Sequence, residues 1–148
     1  ARWMHYIHAS RHEPQAAGET NVAQIKNWIT SARRIAIYNR DGWCCVWCGS
    51  SVSRGSFGVQ GASLATLDHV VPQSVYPLLC GTREGMNASD NLVTACHECN
   101  SKRRDMRFDS FAAQIAASRG ETVEAVCARI RTAAQLIPGE RRASKEPR

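Results

Sequence analysis

Apolar residues near the start of the chain recur at the spacing of an amphipathic helix. They follow Thr20, whose hydroxyl group is a suitable N-cap. The stripe comprises Val22, Ile25, Ile29, Ala32 and Ala36. Residues 39–42, Asn-Arg-Asp-Gly, predict the end of this helix, because asparagine and glycine terminate helices readily. We therefore expect one helix between Thr20 and this segment.

A second helical pattern lies near the end of the chain. Asp109 or Ser110 is expected to cap a helix that runs through Ser118 and stops at Gly120. Thr122 then starts another helix, whose apolar stripe comprises Val123, Val126, Cys127, Ile130 and Ile137. The short connection predicts a helical hairpin over residues 109–137 that packs on the core.

Two short runs of strand-forming residues lie between these helical regions. Residues 63–67 predict a strand that runs into Asp68 and His69, and residues 92–95 predict a second strand. The connection between them is too rich in proline, glycine and asparagine for a long helix. The segment that follows the second strand predicts a helix. Four of its residues share one helix face, because they fall at positions i, i+3, i+4 and i+7: Cys96, Cys99, Asn100 and Arg103.

Composition and charge narrow the class of protein. The 148 residues suit one domain, and 43% hydrophobic with 22% charged residues exclude a wholly disordered chain. No apolar run approaches the roughly 20 residues that span a bilayer, and the first residues lack the apolar core of a secretory signal. We therefore expect a cytoplasmic protein of bacterial or phage type that does not contact membranes. The formal charge of +6 favours a polyanionic partner, above all nucleic acid.

The seven cysteines include two C-x-x-C pairs, Cys45/Cys48 and Cys96/Cys99. Disulfides are rare in a reducing cytosol, whereas two such pairs supply the four thiolates of a closed tetrahedral zinc site. We therefore predict one structural Zn²⁺. Cys44 adjoins the first pair, but only Cys45 has the two-residue spacing to Cys48.

Five short motifs occur in order along residues 33–104. They are Arg40-Asp41-Gly42, Cys45-x-x-Cys48-Gly49, Leu67-Asp68-His69-Val70-Val71-Pro72, Asn91-Leu92-Val93 and Cys96-x-x-Cys99-Asn100. With these motifs the chain resembles the HNH endonuclease family. The resemblance implies an α+β fold with a ββα-metal core, in which two strands and a helix surround one divalent ion beside the four-cysteine zinc site. The N-terminal helix and the C-terminal helical hairpin would flank this core.

The resemblance and the helical patterns together divide the chain into four parts. The expected parts are an N-terminal arm (1–19), the nuclease domain with its cysteine pairs (20–108), the helical hairpin (109–137) and a basic tail (138–148). The arm and the tail are expected to be solvated ends of the chain.

The resemblance also implies roles for polar residues. His69 would be the general base that activates water. Asp68 and Asn100 would hold the catalytic ion, and their oxygen atoms favour Mg²⁺ or Mn²⁺ over softer ions. Adjacent strand residues point to opposite faces, so Asp68 and His69 are expected at a strand end, where this constraint relaxes.

Asn91 is included among the catalytic residues because, in the family, this side chain holds the segment that carries the base. Asn100 stands where the family name places a histidine, a variant that active family members share. Basic residues near these positions predict phosphate contacts, which add affinity without sequence specificity: Arg40, Lys102, Arg103 and Arg104. Trp43 and Trp47 are expected to pack against the zinc module rather than to stack on bases.

The expected function is hydrolysis of DNA phosphodiester bonds by a one-metal mechanism, either as a nick or as a double-strand break. The expected partner is double-stranded DNA, and a homodimer or larger assembly would serve symmetric cleavage. Two alternatives stay open. One is a zinc-stabilised DNA-binding module without catalysis, and the other is an RNA-cleaving effector on the same fold.

Overall fold

The computed structural model describes residues 29–55, 61, 63–80 and 85–140. Its elements in chain order are α1 (Ser31–Arg40), β1 (Ala65–His69), α2 (Tyr76–Cys80), a 3₁₀ turn (Ser89–Asn91), β2 (Leu92–Cys96), α3 (His97–Arg103), α4 (Phe108–Arg119) and α5 (Val123–Ala133). The predicted arm lies outside the described residues. Among these helices, none has both the length and the apolar content that a membrane crossing requires.

Helix α1 begins later than the apolar stripe predicts. Thr30 is extended, with φ −63° and ψ 155°, and its Oγ1 accepts a hydrogen bond from the Arg33 N–H at 3.2 Å. Thr30 is therefore the N-cap of α1. Thr20, the predicted cap, lies outside the described residues. The predicted end of the helix is confirmed, because Asp41 is the C-cap and Gly42 follows with φ +64°.

Strands β1 and β2 form a two-stranded antiparallel sheet in which Asp68 pairs with Val93 and His69 pairs with Leu92. The first strand continues through Asp68 and His69 instead of ending before them. Asp68 and His69 therefore lie at the strand end, as expected, but both keep their regular pairing with β2, so the two side chains point to opposite faces of the sheet. Asp68 is buried, whereas His69 is half-buried.

Helix α3 follows β2 without a loop. Cys96 is the last residue of the strand and the N-cap of the helix, where its Sγ accepts a hydrogen bond from the Cys99 N–H at 3.4 Å. The helix packs against both strands. This mixture of helices and a two-stranded antiparallel sheet confirms the α+β prediction and is consistent with the ββα fold.

Helices α4 and α5 form a helical hairpin. Gly120 closes α4 in the left-handed conformation with φ +66°, and Thr122 caps α5, as the sequence predicts. Two details of the prediction are wrong. Helix α4 starts at Phe108 rather than after Asp109 or Ser110, and α5 ends at Ala133, so Ile137 is not part of it.

One hydrophobic core joins the hairpin to the rest of the protein. The Trp47 ring lies at its centre, with ring centroids 5.7 Å from Phe108 and 4.9 Å from Phe111 on α4. Trp47 is fully buried and therefore packs against the protein. The predicted boundary at residue 108 falls inside this core, because both sides of it contribute buried side chains.

The segment after α5 returns to α1 and to the 3₁₀ turn. The Glu140 carboxylate accepts hydrogen bonds from Arg33 and from the Ser89 hydroxyl, and that hydroxyl accepts one from the Ile137 N–H at 2.9 Å. The first residues of the predicted solvated tail are thus anchored to the core. Residues 141–148 lie outside the described residues.

Candidate zinc site and candidate active site

The two C-x-x-C pairs meet in space. One Sγ atom from each of Cys45, Cys48, Cys96 and Cys99 lies within 4.8 Å of every other, and the Cys48 and Cys96 sulfur atoms are 4.0 Å apart. A tetrahedral Zn²⁺ with bonds of about 2.3 Å places its sulfur ligands about 3.8 Å apart. The four thiols therefore fit a closed zinc site, as predicted. Cys44 lies outside this cluster, and its Sγ contacts the Gly42 carbonyl oxygen at 3.4 Å.

Contacts and burial within the cluster separate the pKa values of Cys45, Cys96 and Cys99. A hydrogen bond from the Cys99 thiol lowers the pKa of Cys45 to about 5, and the same contact raises the pKa of Cys99. Burial raises the pKa of Cys96 to about 11. The metal-free cluster therefore combines thiolate and thiol groups, and a bound Zn²⁺ would displace the protons that they retain.

The loop between Cys45 and Cys48 is held from two sides. The Val46 N–H donates to the Thr94 carbonyl on β2 at 3.0 Å. From α5, Arg129 donates to the carbonyl oxygens of Val46 at 3.1 Å and Trp47 at 2.7 Å. The hairpin therefore positions the first cysteine pair against the second.

His69 is the last residue of β1, and its imidazole contacts two side-chain amides. Its Nε2 lies 2.7 Å from Asn87 Oδ1, and Gln73 Nε2 lies 3.4 Å from Nδ1 and 3.3 Å from Nε2. Burial lowers the pKa of His69, although the Asn87 contact opposes this shift. The ring is therefore mainly neutral at pH 7, which is the protonation state that a general base needs.

Asn91 joins the segment after His69 to the loop that carries Asn87. It is 3% exposed, and its Oδ1 accepts a hydrogen bond from the Val71 N–H at 2.9 Å. Its Nδ2 donates to the carbonyl oxygens of Met86 at 2.8 Å and Val71 at 3.3 Å. This side chain holds two segments together at the position where a loop-bracing asparagine is predicted.

Asp68 lies on the opposite face of the sheet in a buried polar network. It is 5% exposed; Oδ2 accepts a hydrogen bond from Trp47 Nε1, and Oδ1 accepts one from Arg103, both at 2.8 Å. Arg103 also donates to the carbonyl oxygens of His69 and Val70. Its guanidinium group lies 4.8 Å from the centroid of the Trp47 ring. The network fixes the end of β1 and engages both Asp68 oxygens.

The side-chain amide of Asn100 on α3 uses its nitrogen for hydrogen bonds, whereas its oxygen can still accept. Its Nδ2 donates to Thr66 Oγ1 at 3.0 Å and to the Leu67 carbonyl at 3.1 Å, while its Oδ1 has no hydrogen-bond partner among the described residues. Both Asp68 oxygens already accept hydrogen bonds, from Trp47 and Arg103. A carboxylate has about four lone-pair sites, so Asp68 could bind an ion through the remaining lone pairs while it keeps these hydrogen bonds. The two residues supply hard oxygen atoms that suit Mg²⁺ or Mn²⁺, although Asp68 is already engaged.

Two of the four residues that are predicted to contact phosphate have side chains that point into the protein. Arg103 is 1% exposed, and its hydrogen bonds all lie within the core. Arg40 pairs with Asp41 at 2.6 Å and donates to the carbonyl oxygens of Ser89, Leu92 and Gln135. The structure therefore does not support phosphate contacts by Arg40 and Arg103, because Arg103 is buried and the guanidinium group of Arg40 donates to groups of the protein.

The other two predicted phosphate contacts are exposed. Lys102 has a side chain that is 66% exposed and forms a 2.6 Å surface ion pair with Glu98. Arg104 is exposed at the end of α3. These two residues keep basic groups accessible beside the ββα unit.

The sequence motifs do not indicate Asn87 and Gln73, whose side chains contact His69. Gln73 lies four residues after His69, but no recognised motif includes it. Asn87 lies in a connection whose composition predicts only turns. The inward direction of Arg103 did have a signal in the sequence, because this residue shares a helix face with Cys96, Cys99 and Asn100.

Comparison with known families gives a match to the central part of the chain. Residues 45–105 match the family model described as HNH endonuclease. The match includes both cysteine pairs, β1, β2 and α3. No curated protein and no solved structure gives a significant match.

Proposed function

Because residues 45–105 match the HNH endonuclease family model, we propose that this protein is an endonuclease that hydrolyses DNA phosphodiester bonds with His69 as the general base. The observation that carries the proposal is the state of His69. Its imidazole lies at the end of β1 in the matched segment, contacts two side-chain amides and is kept mainly neutral by burial. A neutral imidazole can accept the proton of an attacking water molecule.

In the proposed mechanism, Asn91, Asp68 and Asn100 support the action of His69. Asn91 holds the segment that carries His69, so that the imidazole keeps its place while water loses a proton. Asp68 and Asn100 are the residues that would hold a catalytic Mg²⁺ or Mn²⁺. Such an ion supplies charge neutralisation at the phosphoryl and leaving oxygens. The four-cysteine zinc site holds α3 against the first cysteine pair and has no part in the chemistry.

Surface charge supports a nucleic-acid substrate. The chain carries a formal charge of +6, and Lys102 and Arg104 remain exposed on the element that also carries Asn100. We propose double-stranded DNA as the substrate, with backbone contacts that provide affinity rather than sequence recognition. Cleavage of both strands would require two copies of the domain or two successive nicks.

One observation favours a second candidate function, a DNA-binding module without catalysis. Arg103 already neutralises the Asp68 carboxylate at 2.8 Å, and Trp47 takes its other oxygen. A site of this kind is stable without a divalent ion, so loss of catalysis would leave the fold intact. Binding without cleavage would then be the protein's activity.

Substrate and metal panels test the proposed function. The zinc-loaded protein is incubated with supercoiled plasmid, linear duplex DNA or structured RNA, each in Mg²⁺, Mn²⁺, Ni²⁺ or EDTA. The proposal predicts conversion of the plasmid in Mg²⁺ or Mn²⁺ and none in EDTA. Duplex binding without cleavage in every metal would support the binding module, and cleavage confined to RNA would support the effector alternative.

A further inference from the structure

Asn87 is the side chain that approaches the His69 imidazole most closely. Its Oδ1 lies 2.7 Å from Nε2, well within hydrogen-bond range, whereas the Gln73 amide nitrogen is more than 3 Å from either ring nitrogen. An amide oxygen can only accept, so Nε2 must carry the proton of this hydrogen bond. We propose that Asn87 is a positioning residue that fixes the Nε2–H tautomer of His69 and leaves Nδ1 as the basic atom.

Hydrogen bonds of Asn91 hold the loop that carries Asn87 next to the end of the strand that carries His69. Asn91 binds the carbonyl oxygen of Met86, the residue before Asn87, and also both backbone groups of Val71. The Val70 N–H donates to the Asn91 carbonyl at 2.9 Å, which brings the residue after His69 to the same point. The loop and the strand end are therefore tied together on either side of the contact between Asn87 and His69.

Gln73 does not select a tautomer, because its amide nitrogen lies at nearly equal distances from the two ring nitrogens, 3.3 Å from Nε2 and 3.4 Å from Nδ1. This amide nitrogen can only donate, so whichever ring nitrogen is unprotonated can accept from it. The long distance makes this a weak contact that an incoming water molecule could replace. Asn87, at 2.7 Å from Nε2, is thus the determinant of the tautomer.

The inference rests on the proposed function, because tautomer control matters for the reaction only if His69 is the base. The contact itself can be tested without DNA or a catalytic metal. Long-range ¹H–¹⁵N correlation spectra of zinc-loaded, ¹⁵N-histidine-labelled protein report which His69 nitrogen carries the proton, with His69→Gln used for assignment. Wild type, Asn87→Asp, Asn87→Leu and the distant control Asn39→Leu are compared at a pH where the ring is neutral, and single-turnover cleavage is measured in parallel.

The expected wild-type spectrum shows His69 protonated at Nε2. Asn87→Asp keeps a strong acceptor and should preserve this tautomer and the cleavage rate to within roughly tenfold. Asn87→Leu should populate both tautomers and lower the cleavage rate with little change in KM, by a factor well short of the roughly 10⁴ seen when a catalytic histidine is forced wholly into the wrong tautomer. Asn39→Leu should match wild type.

Two results would overturn the inference. One is a wild-type His69 protonated at Nδ1, which decides the question even if Asn87→Leu does not fold. The other is an Asn87→Leu protein with unchanged tautomer and unchanged cleavage. Failure of the proposed function looks different, because the wild-type protein would then show the Nε2–H tautomer without cutting DNA in any metal.

Discussion

Arg103 and Asp68 form a buried ion pair, with 2.8 Å between Nη1 and Oδ1 and side chains that are 0% and 6% exposed. The same arginine donates hydrogen bonds to the carbonyl oxygens of His69 and Val70. A residue that the sequence places in a basic surface run is therefore part of the core. It holds the strand end from which His69 projects.

Replacement of Arg103 by methionine should strongly destabilise the fold. The change leaves the Asp68 carboxylate buried without its cation, a loss that typically costs about 3–5 kcal/mol. Urea denaturation of the zinc-loaded protein measures this cost. The double variant Asp68→Asn with Arg103→Met should recover much of the loss, because it removes the unpaired charge.

The neighbouring exposed lysine provides the control for that experiment. Lys102→Met removes only a surface ion pair and should leave the urea midpoint nearly unchanged. The pattern would reverse if Arg103 were a phosphate contact. Arg103→Met would then keep wild-type stability and lose DNA affinity.

Asn91→Ala should also destabilise the protein, through a different cause. The change removes a side chain that satisfies the Val71 N–H and the Met86 carbonyl in the interior. Each buried group left unpaired costs about 1–3 kcal/mol. Thermal unfolding measures the effect, with Asn39→Ala as a control because the bond from Trp43 to Asn39 is exposed. Equal melting temperatures for both variants would contradict the bracing role.

Zinc removal should unfold the protein. A four-thiolate site supplies apparent binding free energy of roughly 10–16 kcal/mol, which exceeds the stability of most domains. Elemental analysis should give one zinc per chain for wild type and for Cys44→Ser, and none for Cys45→Ser. Circular dichroism with a strong chelator tests stability, and an unchanged melting transition in chelated protein would contradict the structural role.

The free energy of unfolding should decrease as the pH is lowered, in part because of His69. Burial lowers the pKa of His69 in the folded state, whereas the unfolded chain titrates near 6.5. The unfolded state therefore binds more protons below about pH 6.5, and protonation favours unfolding. The urea midpoint of wild type should decline more steeply than that of His69→Gln between about pH 7.5 and about pH 5.5. Parallel curves for the two proteins would contradict this assignment.

The zinc site and the order of the ββα elements could be predicted because they depend on local spacing. The C-x-x-C pairs and the i, i+3, i+4 pattern on α3 determine which side chains face one another once the strand and helix form. The positions of Gly120 and Thr122 were predictable for the same reason, since helix caps are local.

The surroundings of Asp68 and His69 could not be predicted in the same way. Strand β1 ends two residues later than the pattern of 63–67 indicates, so the alternation of a regular strand decides which face Asp68 and His69 occupy. The partners of these residues come from distant parts of the chain, with Asn87 in a turn and Trp47 in the first cysteine loop. Long-range contacts of this kind leave no periodic signal in the sequence.

The proposed role of His69 as the general base of a DNA endonuclease is tested by the single-turnover rate of supercoiled plasmid cleavage. Wild type, His69→Ala and the exposed-histidine control His97→Ala are compared in Mg²⁺ and in EDTA, each with confirmed zinc content. The account predicts metal-dependent cleavage by wild type and His97→Ala, and a rate about 10²–10⁴ lower for His69→Ala. Undiminished cleavage by His69→Ala would contradict it.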